Sequence, residues 1–364
     1  MKIEHIEPIA IRLPLRKPMK MAGVTLETAD NVLVRIDSHG MSGWGEAASA
    51  PTMTGETVES IMAAIRYLTP YLLERDAQDL PQLLYEMDQW LYVNSSAKAA
   101  IDIALHDLIG RAANKPIWAL LGHQRREQLS VLWMLGNDQI ESDTTEAVQR
   151  QDEGFTAFKI KVGVNHLASD IQRTLSICDR LDAQCLISAD ANQGWTVDQA
   201  VQYVSALEAS PLAFVEQPVA AHDIDAMARV SAASRIQVGA DEGIHHLDDL
   251  HRHHETGAAQ GGSLKSIKLG GIRRVYEAAT LCEELGMKVN LAGKVAESSL
   301  ATAAVLHLAA TIPSVDWGVS PTCQYLADDV VQEPIIIRHG QVAIPSAPGL
   351  GVQIDEAKVK RYRM

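Results

Sequence analysis

A chain of 364 residues, 47 % of them hydrophobic, has the length and apolar content for two domains or a barrel with additions, which excludes a disordered polymer. A net charge of −14 argues against nucleic acid or an anionic membrane as partner, but not against a small anionic substrate, which answers to local fields. The four cysteines, Cys178, Cys185, Cys282 and Cys323, have no CxxC spacing, so neither a disulfide framework nor a zinc site is expected, and thiols in a reducing compartment are. The first residues lack the apolar core of a signal peptide, and apolar runs such as 300–310 are too short to span a bilayer. The expectation is a cytoplasmic protein with no membrane partner.

Residues 1–48 read as β-rich, with strands over 3–15, 31–37 and 42–47 and a hairpin turn at Ser38-His39-Gly40. Residues 17–30, with Met19 and Met21, read as a flexible loop, and so do 50–56, with Thr52 and Met53. Helical periodicity follows over 57–73, 81–91 and 95–113, which makes 1–125 an α+β domain. From residue 129 the rhythm changes. Short apolar strands at 129–135, 157–162, 185–189, 213–215, 236–240, 266–269, 288–291 and 315–319 alternate with helices such as 167–181, 197–209, 224–234 and 272–285. Eight strands in such units predict an α/β fold with a parallel barrel over 126–328. Residues 329–364, with the turn Pro348-Gly349-Leu350-Gly351, are too few for a domain and are expected to pack back on the first. The stretch 243–255 holds five of the thirteen histidines and reads as a surface helix with solvated imidazoles. There is no GxGxxG or P-loop run, so nucleotide binding lacks its motif.

The stretch 158–163 concentrates the chemistry. Lys159 and Lys161 lie two apart in an apolar strand and so share a face, which is costly unless the charges have partners or a task. In a parallel barrel the working residues sit at the C-terminal strand ends. Those ends offer Asp190, Glu216 and Asp241, with Lys268 on the expected sixth strand and Glu297 after the seventh. The steps from 190 to 216, 241 and 268 are 26, 25 and 27 residues, one βα unit each. One such acid alone reads as a turn or cap residue; five charged groups recurring at the same point of successive units do not. Three converging carboxylates repel one another unless a hard cation sits between them, and all-oxygen ligation suits Mg²⁺ or Mn²⁺. Such an ion can stabilise the enediolate formed when a proton α to a carboxylate leaves, with lysines on either side as acid and base.

The set Lys159-Ile160-Lys161, Asp190-Ala191-Asn192, Glu216-Gln217-Pro218, Asp241-Glu242 and Lys268 with Gly270-Gly271 resembles the enolase superfamily in its muconate lactonizing enzyme subgroup. The resemblance extends to the helix around Ser96–Asp102 and to the Pro-Gly-Leu-Gly tail. It implies a modified TIM barrel, (β/α)7β, with an N-terminal α+β capping domain completed by the C-terminal segment. It implies Mg²⁺ on Asp190, Glu216 and Asp241, Lys161 and Lys268 as acid/base groups on opposite faces, and Lys159 tuning Lys161 or touching the substrate. Asn192, Glu297 and the lid residues Thr52, Met53 and Met21 are implied to bind substrate. The implied enzyme is a metal-dependent isomerase of a small carboxylate and a homo-oligomer, between dimer and octamer. Cycloisomerisation is the favoured reaction; racemisation, epimerisation and dehydration stay open, with a non-catalytic carboxylate binder as the distant alternative. Two departures narrow the substrate. No Asp-x-Asp pair for an ammonium group follows the eighth strand, where the chain reads Trp317-Gly318-Val319-Ser320-Pro321-Thr322. Lys294 stands three residues before Glu297, where the family usually has a small residue, and is expected to meet a second substrate carboxylate, to point to solvent or to pair with Glu297.

Overall fold

In the computed structural model, which describes residues 1–21 and 24–364 and the side chains outside 20–24, the chain opens on an antiparallel sheet. Its strands are β1 (His5–Met21), β2 (Val24–Ser38) and β3 (Met41–Ala48), in that order. The turn between β2 and β3 is as expected, with His39 and Gly40 both at positive φ. The expected loop over 17–30 is instead strand over 17–21 and 24–30, residues 22 and 23 lying outside the described ones: Met19 pairs with Leu26 and Met21 with Val24 beyond a register shift between Pro14 and Met19. Pro14 and Pro18 lack ladder N–H groups and so disguise the strand, which tolerates them at a sheet edge.

Three helices cover the sheet: α1 (Val58–Leu72), α2 (Leu80–Trp90) and α3 (Ser95–Ala112). Thr57 and Ser60 form a capping box at the start of α1. Helix α3 is buried on almost every side because it lies between this sheet and the rest of the chain. β3 reaches it through Gly45, where a Cβ would come within 2.0 Å of the Ala100 carbonyl.

After α4 (Trp118–Leu121) and β4 (Gln128–Ser130) the parallel strands begin. They are β5 (Leu132–Leu135), β6 (Ala157–Lys161), β7 (Leu186–Asp190), β8 (Leu212–Glu216), β9 (Gln237–Ala240), β10 (Gly261–Leu264), β11 (Lys288–Ala292) and β12 (Val319–Ser320). The intervening helices are α5 (Ile140–Asp152), α6 (Leu167–Cys178), α7 (Val197–Ala206), α8 (Ile224–Ala232), α9 (Leu247–Glu255), the single turn α10 (Ser266–Leu269) with α11 (Ile272–Leu285), and α12 (Ser299–Thr311). Each strand pairs with the next, and a bridge from Val131 to Val319 closes the ring, so seven βα units end on a lone strand. Phe214 and Trp317 stack inside it, ring centroids 4.0 Å apart.

The sixth strand departs from expectation. It is Gly261–Leu264, and 266–269 is the helical turn after it. Ser-Ile-Lys-Leu alternates like a strand, whereas Gly-Gly-Ser-Leu does not; a Cβ on Gly261 would stand 2.5 Å from Trp317, and one on Gly262 2.5 Å from Ile244. The C-terminal segment adds β13 (Gln341–Ala343) against β4 and α13 (Glu356–Tyr362), and Arg363 bridges to Ile11 of β1. Among the described residues all four cysteines are free thiols, and no helix is long and apolar enough to cross a membrane. On α9, His251 and His254 are exposed as expected, but His253 is buried.

Candidate active site

Alternation along the barrel strands stacks the inward side chains in layers. Ser188, Phe214, Ser263 and Asn290 face one another low in the barrel, where Ser263 Oγ meets Asn290 Oδ1 at 3.1 Å and Asn290 also takes the Lys159 ammonium at 3.4 Å. Two residues beyond Lys159, Ser188, Phe214, Gly239 and Ser263 come Lys161, Asp190, Glu216, Asp241 and Lys265. All of this upper layer but Asp241 borders a cavity of about 130 Å³, which Thr52, Met53, Met134 and Tyr325 also line. Lys161 ends β6 and Lys265 follows β10, four places apart in a ring of eight, so they stand on opposite walls. The acids of β7, β8 and β9 lie between them along one side.

Every acid in that arc is turned to a lysine. Asp190 Oδ2 accepts from Lys161 at 2.5 Å, Glu216 pairs with Lys159, and Asp241 takes Lys265 on one oxygen and Lys268, at 2.7 Å, on the other. Asn192 accepts from Lys161 at 2.8 Å and donates to Glu242 at 3.0 Å, linking β6 to β9 across the cavity rim. Gln217, at positive φ, accepts from the N–H groups of Asp241 and Gly243 and so holds the acid of one strand against the turn of the next.

The electrostatics follow from burial against these pairs. Burial raises the carboxyls of Asp190 and Asp241, but the facing lysines outweigh it and hold both below the usual range. Burial pushes Glu216 up despite Lys159, and pushes Glu242 up to about 7 with the charges of Asp241 and Asp190 adding to it. Burial would lower Lys159 and Lys265, yet the acids hold both above the ordinary lysine value, as ammoniums. Among the described residues no three acidic, histidine or cysteine side chains close around one point as they stand. Even so, Glu216 Oε1 and Glu242 Oε2 are buried without a hydrogen-bond partner. Four carboxyls in one arc, Glu216 and Glu242 each with an orphaned oxygen, make a donor set whose chemistry suits a hard divalent cation.

Two family profiles match along the chain. Residues 6–122 match the N-terminal domain described as mandelate racemase/muconate lactonizing enzyme, and 143–358 match the one described as enolase C-terminal domain-like. The chain belongs to the mandelate racemase/muconate lactonizing enzyme family. A chloromuconate cycloisomerase from Pseudomonas putida is 34 % identical over 100 % of this chain and 99 % of its own length. The muconate lactonizing enzyme of Pseudomonas fluorescens, solved with muconolactone, superposes with a TM-score of 0.96 at 28 % identity, covering 100 % and 99 % of the two chains. An N-succinyl Arg/Lys racemase from Bacillus cereus gives 0.95 at 29 % identity, covering 100 % and 98 %. This full-length likeness makes the chain an isomerase of the enolase superfamily.

Against that family pattern the structure brings Lys159, Lys161, Asp190, Asn192, Glu216, Lys294, Thr52 and Met53 to one cavity, with Asp241 directly behind Lys265. It does not bring Lys268. That residue was expected on the sixth strand facing Lys161; it lies on α10, fully buried beneath Asp241, and donates to the Ser263 carbonyl at 2.9 Å. The inward register of β10 runs from Ser263 to Lys265, so Lys265 takes the place opposite Lys161. Spacing could not separate the two lysines, because 24 and 27 residues after Asp241 both amount to one unit. Glu297 is buried behind the cavity wall, with its carboxylate against Gly293, and is not among the lining residues. The side chain of Met21 lies outside the described residues. Sequence reasoning also passed over Glu242 and Gln217 as working groups, although both stand beside acids it chose.

Proposed function

We propose that the chain is a Mg²⁺-dependent cycloisomerase of the muconate type, moving a proton at the carbon α to a substrate carboxylate. The observation that carries this reading is the opposition of Lys161 and Lys265 across a cavity whose intervening wall is acidic. Asp190, Glu216 and Asp241 would hold the ion, which supplies positive charge against the substrate carboxylate as negative charge develops there. Lys161 and Lys265 are freed for substrate when Asp190 and Asp241 turn from them. In the lactonising direction one carboxylate oxygen adds to a conjugated double bond, and one of these ammoniums delivers a proton to the carbon α to the other carboxylate. In reverse the same amine removes it. Lys159 stays charged against Glu216 and keeps that carboxylate in place. Because the lysines face both sides of a bound carbon, the same pair would also support racemisation of an N-acyl amino acid, which is the second reading. The absence of an Asp-x-Asp pair at the eighth strand, over 317–322, speaks against substrates with a free ammonium group.

The test is deuterium incorporation α to the carboxylate of muconolactone and of N-acyl amino acids in D₂O with Mg²⁺, followed by NMR. Lys161→Ala and Lys265→Ala should each lose about 10²-fold or more of the exchange they serve. Exchange that survives in Lys265→Met but vanishes in Lys268→Met would return the role to Lys268. Metal binding is read separately by Mn²⁺ paramagnetic resonance, where Glu216→Gln should weaken the ion; unchanged affinity would remove Glu216 from the ligand set.

A further inference from the structure

Lys294 is a buried cation without a partner. It follows β11, lines the cavity, is 8 % exposed, and makes no hydrogen bond or ion pair through its ammonium among the described residues. An unpaired ammonium in such a place is costly. The loop nevertheless holds it there firmly. Thr322 Oγ1 donates to the Lys294 carbonyl at 2.7 Å and accepts from the Glu297 N–H at 3.2 Å. Asn31, from the N-terminal sheet, donates to the carbonyl of Ala296 at 3.0 Å, and Ala296 is itself held at positive φ. Such strain persists only where the surroundings enforce it. Burial, with Lys265 adding to it, pushes Lys294 down to about 8; its other charged neighbours are Glu297 and Lys161. Burial pushes Glu297 up to about 8, with Glu46 adding to it, so near neutral pH Glu297 is protonated and does not neutralise Lys294.

The ring decides what the ammonium awaits. β11 is four places from β7, so Lys294 stands across the cavity from Asp190, on the half that carries no acid in the upper layer. A substrate with one carboxylate at the acidic arc and its reacting carbon between Lys161 and Lys265 extends its far end toward Lys294. We infer that Lys294 receives a second anionic group of the substrate, carried several bonds from the reacting carbon, and so selects dianionic over monoanionic ligands. Only the orientation of the substrate rests on the proposed α-proton chemistry; the selection for two charges does not.

The experiment is calorimetric titration of the Mg²⁺-loaded protein with adipate and with hexanoate, two six-carbon probes that differ by one carboxylate. The wild type should bind adipate about tenfold or more tightly than hexanoate, as a charge-assisted hydrogen bond predicts. Lys294→Met, which keeps length and removes a buried charge, should bring the two affinities together, while Lys294→Arg retains the preference. Equal affinities in the wild type, which need no variant to fold, or an undiminished preference in Lys294→Met would overturn the assignment. If adipate is preferred but no carboxylate exchanges its α-proton, the assignment stands and the proposed chemistry falls.

Discussion

At the scale of single residues, burial sets the state of the charges more than sequence neighbours do. Glu297 shows this most clearly. Burial, then the charge of Glu46, raises its carboxyl from 4.5 to about 8. The folded state therefore binds the extra proton, and the stability it carries is full below pH 4.5 and lost as pH rises through about 8. Glu297→Gln should flatten the fall of the urea midpoint between pH 5 and 8, a difference on the order of a few kcal/mol over that window. Parallel profiles for the two proteins would show that the carboxyl ionises freely in the fold. Lys268 and Lys265 make the same point in geometry. Both touch Asp241, yet Lys268 is enclosed by protein and pushed down by burial, while Lys265 borders the cavity and is held charged.

At the scale of elements, β10 is the strand that local pattern could not reveal. Gly261 answers to Trp317, more than fifty positions along the chain, and Gly262 to Ile244, and no periodicity within Gly-Gly-Ser-Leu records those contacts. Gly261→Ala should cost about 2–3 kcal/mol through overpacking against Trp317 and the Lys288 carbonyl. Gly257→Ala, at positive φ in open space, should cost only about 1 kcal/mol of backbone strain. Chemical denaturation of both measures the difference, and equal costs would mean that Trp317 yields freely. β6, β7, β8 and β9 were legible because apolar runs bounded by turn residues lead to charged groups, whereas β12 is only Val319–Ser320 and shares one residue with the expected 315–319.

At the scale of the molecule, one carboxylate joins the N-terminal sheet to the barrel. Glu46 of β3 is fully buried and accepts from the N–H groups of Ser298 and Ala301 at the start of α12, from the Ser298 hydroxyl and from Asn31. A negative group at a helix N-terminus satisfies donors that have no partner within the helix. Glu46→Ala would strand those donors beside a cavity and should cost about 3 kcal/mol by urea titration; a loss below about 0.5 kcal/mol would mean that water replaces the clamp. The same clamp holds the loop of Lys294 and Glu297, so the sheet takes part in shaping the cavity that Thr52 and Met53, in the turn after β3, also line.

The sequence by itself determined the order of elements, the parallel barrel, the acidic arc of Asp190, Glu216 and Asp241, and Lys161 as one wall of the site, because each is written in a short repeating pattern. Tertiary structure alone decided that β10 starts at Gly261, that Lys265 and not Lys268 faces Lys161, and that Lys294 stands buried and, among the described residues, unpaired. Those outcomes depend on Trp317 filling the barrel, on the ring closing between Val131 and Val319, and on Asn31 and Glu46 gripping a loop some 250 residues away. Contacts at such separations leave no trace in local spacing, and they set which of two similarly spaced lysines reaches the cavity.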